Sequence, residues 1–124
     1  MTLAVDALRA RADADEPDSG LLRDLGRLVA EKQAMRLLGI RTAARAVAGA
    51  DPGPEGSLAK LLSGEHQQRV AALLARIGGQ ELALDGDPVV HYAILFTRGL
   101  TIAGGTSEIL RTQIAERVLG LPRG

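Results

Sequence analysis

Apolar residues return at three- and four-residue steps along most of this chain, the period of an α-helix with one buried face. Between Leu21 and Ala48 there is no proline, and Leu21, Leu25, Leu28, Met35 and Leu38 keep that spacing. The stretch predicts one helix of about 28 residues, about 40 Å long, with Asp18 or Ser19 as its N-cap. Gly49-Ala50-Asp51-Pro52-Gly53-Pro54 ends it, because proline lacks a backbone N–H and glycine enters left-handed conformations freely. A second stripe, Leu58, Leu61, Leu62, His66, Val70, Leu73, Leu74 and Ile77, predicts a second long helix closed by Gly78-Gly79. Asp85-Gly86-Asp87-Pro88 is a loop that opens a third helix over about 89–100. The last helix follows Gly104-Gly105, with Thr106 as cap, Ser107 and Glu108 in the first turn, and Ile109, Leu110, Ile114, Val118 and Leu119 as its apolar stripe before Gly120 and Pro122.

The N-terminal stretch Thr2–Ala14, with Leu3, Ala7 and Leu8 on one side, reads as a short helix or frayed leader that ends in the polar cluster Asp15–Gly20. No segment alternates with strand period. Four main helices on short connections predict an all-α, antiparallel four-helix bundle over residues 20–124, with 1–19 as the leader or short helix.

Composition narrows this further. In 124 residues, 46% hydrophobic, there are one Tyr, one Phe and no Trp, so the core is built from Leu, Ala, Ile and Val, which suits close-packed helices. Fifteen basic residues balance fifteen acidic ones without a basic run, which argues against a nucleic-acid partner. The absence of Cys removes disulfides and thiolate zinc sites, and two isolated histidines make no metal site. No stretch approaches the roughly 20 apolar residues of a membrane span, and the first residues lack a signal-peptide pattern, which points to a cytoplasmic chain without a membrane partner.

The segment richest in chemistry is Gly104-Gly105-Thr106-Ser107-Glu108. A double-glycine break, a hydroxyl cap and an acid in the first turn leave backbone N–H groups free for a polar ligand. The same residues also suit a plain turn between two packed helices with an ordinary Thr cap.

From Tyr92-Ala93-Ile94-Leu95-Phe96-Thr97-Arg98 through Gly104-Gly105-Thr106-Ser107-Glu108-Ile109 to Gly120-Leu121-Pro122-Arg123, the chain resembles the end of an acyl-CoA dehydrogenase. Arg36-Leu37-Leu38-Gly39, Ser57-Leu58-Ala59-Lys60-Leu61 and Ile77-Gly78-Gly79 follow the order of that family's C-terminal helical domain, so the resemblance covers about residues 20–123. It finds no counterpart in residues 1–17 for the first helix of that domain. The resemblance implies FAD as cofactor, acyl-CoA as substrate, and a homo-oligomer or a hetero-oligomer with a larger acyl-CoA dehydrogenase subunit. It implies flavin contacts at Thr106, Ser107 and Glu108, and substrate or flavin lying against Gly104 and Gly105. Many members carry a catalytic glutamate where this chain has Gly104, so no catalytic residue is assigned and the chain is expected to be inactive alone. Ala75-Arg76-Ile77-Gly78-Gly79 falls where members carry a Gln-x-x-Gly-Gly segment that touches FAD, often the neighbouring subunit's. Ala75 replaces the glutamine, while Gly78, Gly79 and Arg76 keep a close backbone approach and a cation, although a helix C-cap explains the two glycines equally well.

The remaining polar residues read more plainly. His66 lies on an apolar stripe and is expected to be a core or edge histidine satisfied by a backbone carbonyl. His91 is expected to be exposed. Glu65 is turned roughly 100° away from His66, which weakens any argument for a dyad. Arg41, Arg45, Arg111, Glu116 and Arg117 are expected to be solvated or interface charges. Two functions compete: a C-terminal domain or small subunit of an acyl-CoA dehydrogenase-type enzyme, and a non-enzymatic helical dimerisation or regulatory module derived from that family. A stand-alone dehydrogenase is the third reading.

Overall fold

The computed structural model describes residue 6 and residues 18–50, 55–86 and 88–123. Apart from Asp6, the predicted leader Thr2–Ala14 lies outside these residues, as do Asp51–Pro54 of the first turn. The described chain forms α1 (Ser19–Val47), α2 (Glu55–Asp85), α3 (Pro88–Leu100) and α4 (Ser107–Arg117), and no strand occurs among these residues. The all-α reading therefore holds.

Each helix begins and ends where local chemistry permits. The Asp18 carboxylate caps α1 by accepting from the Gly20 N–H at 2.7 Å. At its far end Gly49 takes φ 71°, and the N–H groups of Gly49 and Ala50 return to the carbonyls of Ala46 and Arg45, each at 3.1 Å. This is a Schellman closure, which a residue with a Cβ would strain. α3 opens on Pro88, whose missing N–H costs nothing at a first helical position.

One boundary differs from expectation. Gly79 leaves helical geometry at φ 53°, ψ −141°, yet the chain resumes helix and runs on to Asp85. Gly78-Gly79 thus kinks α2 rather than closing it.

α1 and α2 are antiparallel, because Asp24, Glu31 and Arg45 on α1 meet Arg76, His66 with Arg69, and Glu55 on α2 in reverse order. α3 also runs antiparallel to α2: His91 meets Leu82, while Gln68 reaches Thr97 and Thr101. α4 crosses the N-terminal half of α2, where Ser57 donates to Gln113 at 3.1 Å and Arg111 meets Glu65. All three helices pack on α2 and scarcely touch one another.

The main core is Leu21, Leu28, Leu73 and Ile77, with Leu25 and Val70 packed against it. Other apolar residues of the same helices stay open to solvent. Leu37 and Ile40 on α1 are 56% and 53% exposed, and Tyr92, stacked on Phe96 with ring centroids 5.3 Å apart, is 64% exposed. The second half of α1 and one face of α3 are therefore uncovered apolar surface.

Candidate functional site

The connection from α3 to α4 is made by two glycines in conformations that side chains rarely adopt, Gly104 at φ 70° and Gly105 at φ 112°. They turn the chain so that Thr106, in extended geometry, becomes the N-cap of α4. Its hydroxyl oxygen accepts from the Ile109 N–H at 3.4 Å, while its carbonyl accepts from the Leu110 N–H at 3.0 Å. The predicted cap is in place. The Glu108 carboxylate folds back on the same turn. Hydrogen bonds from its own backbone N–H and from the Thr106 hydroxyl hold its pKa below the usual carboxylate range, with Arg111 adding a weaker pull.

What holds this corner is a stripe on α2 that the sequence does not advertise as functional. Lys60, Gly64 and Gln68 recur at four-residue intervals, so they share one face. The Lys60 ammonium donates to the Gly105 carbonyl at 2.8 Å. Gly64 admits the end of α3, since a Cβ there would lie 3.4 Å from the Leu100 carbonyl oxygen and 3.4 Å from the Thr101 methyl. Gln68 donates to the Thr101 hydroxyl at 2.9 Å and the Thr97 carbonyl at 3.4 Å. The only sequence-level signal was this spacing of polar and small residues beside the apolar stripe.

Beside the corner lies an open, charged cleft of ≈ 490 Å³, lined from α2 by Glu65, Gln68 and Arg69, from α3 by Arg98 and Thr101, and from α4 by Ser107, Glu108 and Arg111. A ladder of charges supports it. Glu31 on α1 accepts from His66 Nδ1 at 3.0 Å and Arg69 Nε at 3.1 Å, Arg69 also meets Glu65 at 3.5 Å, and Glu65 pairs with Arg111. Partial burial would raise the Glu31 pKa, but the hydrogen bonds from His66 and Arg69 and the Arg69 charge outweigh it and hold the group below its ordinary value.

The other expected residues scatter. Arg76 is ion-paired with Asp24 and lines a different cleft, with Arg27 and Leu28. Gly78 is packed by Leu82, whose side chain a Cβ at Gly78 would strike. Ser107 and Glu108 line the cleft beside the corner while Arg76 lines its neighbour, and Arg69 and Ala72 belong to both, so Arg76 stands one helical turn of α2 beyond the corner's cleft.

Two histidine expectations need correction. His66 is buried, as expected, but its partner is the Glu31 carboxylate rather than a backbone carbonyl, because antiparallel packing brings α1 opposite it. His91 is half-buried rather than exposed, since the helical resumption after Gly79 carries the Leu82 carbonyl to its Nε2. Glu65 pairs with Arg69 at 3.5 Å and with Arg111. Arg45 pairs with Glu55 at 3.3 Å and Glu116 with Arg123 at 3.5 Å, both across chain reversals.

The family model described as "Acyl-CoA dehydrogenase, C-terminal domain" matches residues 1–119. The chain belongs to the acyl-CoA dehydrogenase family. Among its relatives in Mycobacterium tuberculosis, acyl-CoA dehydrogenase FadE34 is 46% identical over 103 residues, covering 80% of this chain and 14% of that protein. Acyl-CoA dehydrogenase IpdE1 is 36% identical over 122 residues, covering 96% of this chain and 31% of that protein. The acyl-CoA dehydrogenase C-terminal domain thus spans a minor part of the relatives it matches. Its match begins at residue 1, which takes in the N-terminal stretch that the resemblance read from sequence left without a counterpart. No solved structure matches the chain.

In this acyl-CoA dehydrogenase domain the corner fits the polar edge of a flavin nucleotide only in part. The first turn of α4 is open and carries hydroxyls and an acid, but the exposed Glu108 carboxylate is also drawn back toward the Thr106 hydroxyl of its own cap. No described helix is long and apolar enough to cross a membrane.

Proposed function

We propose that this chain contributes flavin contacts and an oligomer surface to an FAD-dependent acyl-CoA dehydrogenase, working with a larger subunit, and does not turn over acyl-CoA alone. The observation that carries the reading is the Thr106-capped entry to α4 behind two positive-φ glycines, in a chain of this family. FAD, when bound, supplies the electron acceptor for oxidation of the acyl α,β bond. The chain's own part is to orient. Thr106 fixes the α4 N-terminus, Ser107 and Glu108 offer a hydroxyl and a carboxylate at the mouth of the charged cleft, and Gly104-Gly105 add no side chain of their own to the approach.

Because Ser107 and Glu108 line one cleft and Arg76 another, we assign Thr106, Ser107 and Glu108 to one flavin and Arg76, Gly78 and Gly79 to that of a neighbouring subunit. The exposed apolar faces of α1 and α3 support such an assembly. Gly104 offers no proton acceptor, so the general base must come from elsewhere in the assembly. The test is to mix the purified chain with FAD and a candidate larger subunit. Flavin absorbance co-eluting with the chain is expected; its absence under every pairing would sink the reading.

A second reading is a helical dimerisation or regulatory module without flavin. It is favoured by Arg76 being engaged by Asp24 and by Glu108 being engaged at its own cap. A flavin-free homodimer whose Tm ignores added FAD would support it, because a ligand that binds only the folded state raises stability.

A further inference from the structure

Lys60 is the residue that ties the Gly104-Gly105 turn to the body of the protein. Its ammonium carries three donors, of which one is used on the Gly105 carbonyl at 2.8 Å. A Cβ built on Gly104 would lie 3.5 Å from Lys60 Nζ and 3.6 Å from Cε, and one built on Gly105 would lie 4.0 Å from Nζ. The half-buried ammonium therefore sits against the two positions where the chain turns, and among the described residues it forms no ion pair. Within the turn the bonds are short-range, from Ile102 and Ala103 N–H to the Gly99 carbonyl and from Gly105 N–H to the Ile102 carbonyl, while Gln68 anchors its start at the Thr101 hydroxyl.

We propose that Lys60 is the positioning residue of the corner: it fixes the Gly105 carbonyl, and through it the Thr106 cap, while its ammonium sets the charge felt by any side chain at position 104. A plain turn of two glycines has many conformations available, and one charge-assisted hydrogen bond from a neighbouring helix selects among them. Position 104 differs from a solvent-facing one because an acid placed there would meet a cation at once, in a part-buried setting where such a pair is less screened. The proposal rests on the flavin-corner reading only for its importance to catalysis; the structural claim stands without a flavin.

The experiment uses the full chain and needs no cofactor. Hydrogen exchange is measured residue by residue in the wild type, Lys60→Met and Lys60→Arg. In Lys60→Met the amides of Gly105, Ile109 and Leu110 are expected to lose protection at least tenfold, while those of α1 stay unchanged, and Lys60→Arg should restore most of the loss. Unchanged protection at the corner, or equal loss throughout the molecule, overturns the proposal. The charge effect is read by placing Gly104→Glu in the wild-type and Lys60→Met backgrounds and following the new carboxyl by NMR against pH. It should titrate at lower pH when Lys60 is present, and identical titration in both backgrounds overturns that part. The exchange measurement decides the positioning role even if Gly104→Glu fails to fold. Failure of flavin to bind any assembly would leave both results standing, so the two readings fail separately.

Discussion

His66 Nδ1 on α2 lies 3.0 Å from the Glu31 carboxylate on α1, and the same carboxylate oxygen takes Arg69 Nε at 3.1 Å. Two donors from one helix converge on one acid of the other, at the level where α1 and α2 leave the Leu21–Leu28 core. The acid is held below its ordinary pKa. A carboxylate with a depressed folded-state pKa contributes stability that is present above its unfolded value and lost as pH falls through its folded value.

Glu31→Gln is therefore expected to cost about 1 kcal/mol at neutral pH by removing a charged acceptor. The difference from wild type should shrink as pH falls below the ordinary carboxylate range, because the native acid is then protonated as well. Urea titrations at several pH values check this; a pH-independent difference would contradict the assignment.

Thr106→Ala should cost about 1 kcal/mol, the usual loss for a helix N-cap. The effect should be local, showing in Ile109 exchange before Leu73 exchange, and Thr106→Ser should recover most of it. In the presence of a flavin-binding partner the same alanine variant should weaken FAD retention.

Leu28→Ala and Leu73→Ala should each cost about 2–4 kcal/mol, because both side chains sit in the small core joining α1 to α2. Leu37→Ala and Ile40→Ala should change the stability of the isolated chain by less than about 0.5 kcal/mol, since both residues are more than half exposed. The same two changes should weaken assembly if α1 supplies the oligomer surface, a split that analytical ultracentrifugation and denaturation read together.

Arg76→Gln should alter stability by less than about 1 kcal/mol, because its pair with Asp24 is largely solvent-exposed. Gly78→Ala should be clearly worse, since the new methyl meets Leu82. If flavin contact at this end is real, Arg76→Gln will lower FAD affinity in the assembly while leaving the Tm of the free chain in place.

Helix number, helix type and most boundaries were legible in the chain because they depend on near neighbours. Asp18, Gly49, Pro88 and Thr106 act through bonds spanning a few residues, and each sits where local chemistry would place it. The corner at Gly104–Glu108 was legible for the same reason. The kink at Gly79 was visible as a break, but the helix beyond it was not, since its resumption depends on Leu82 meeting His91 from another helix.

The sequence by itself determined the helical period, the caps and the absence of an acid at Gly104. Only the tertiary structure decided that Glu31 would be the partner of His66, that Asp24 would engage Arg76, and that Lys60, Gly64 and Gln68 would hold the turn between α3 and α4. These are contacts across helices, and their partners lie 29 to 52 residues apart in the chain. A pattern of three- and four-residue steps says which face of a helix is buried, but not which residue of another helix will stand opposite it.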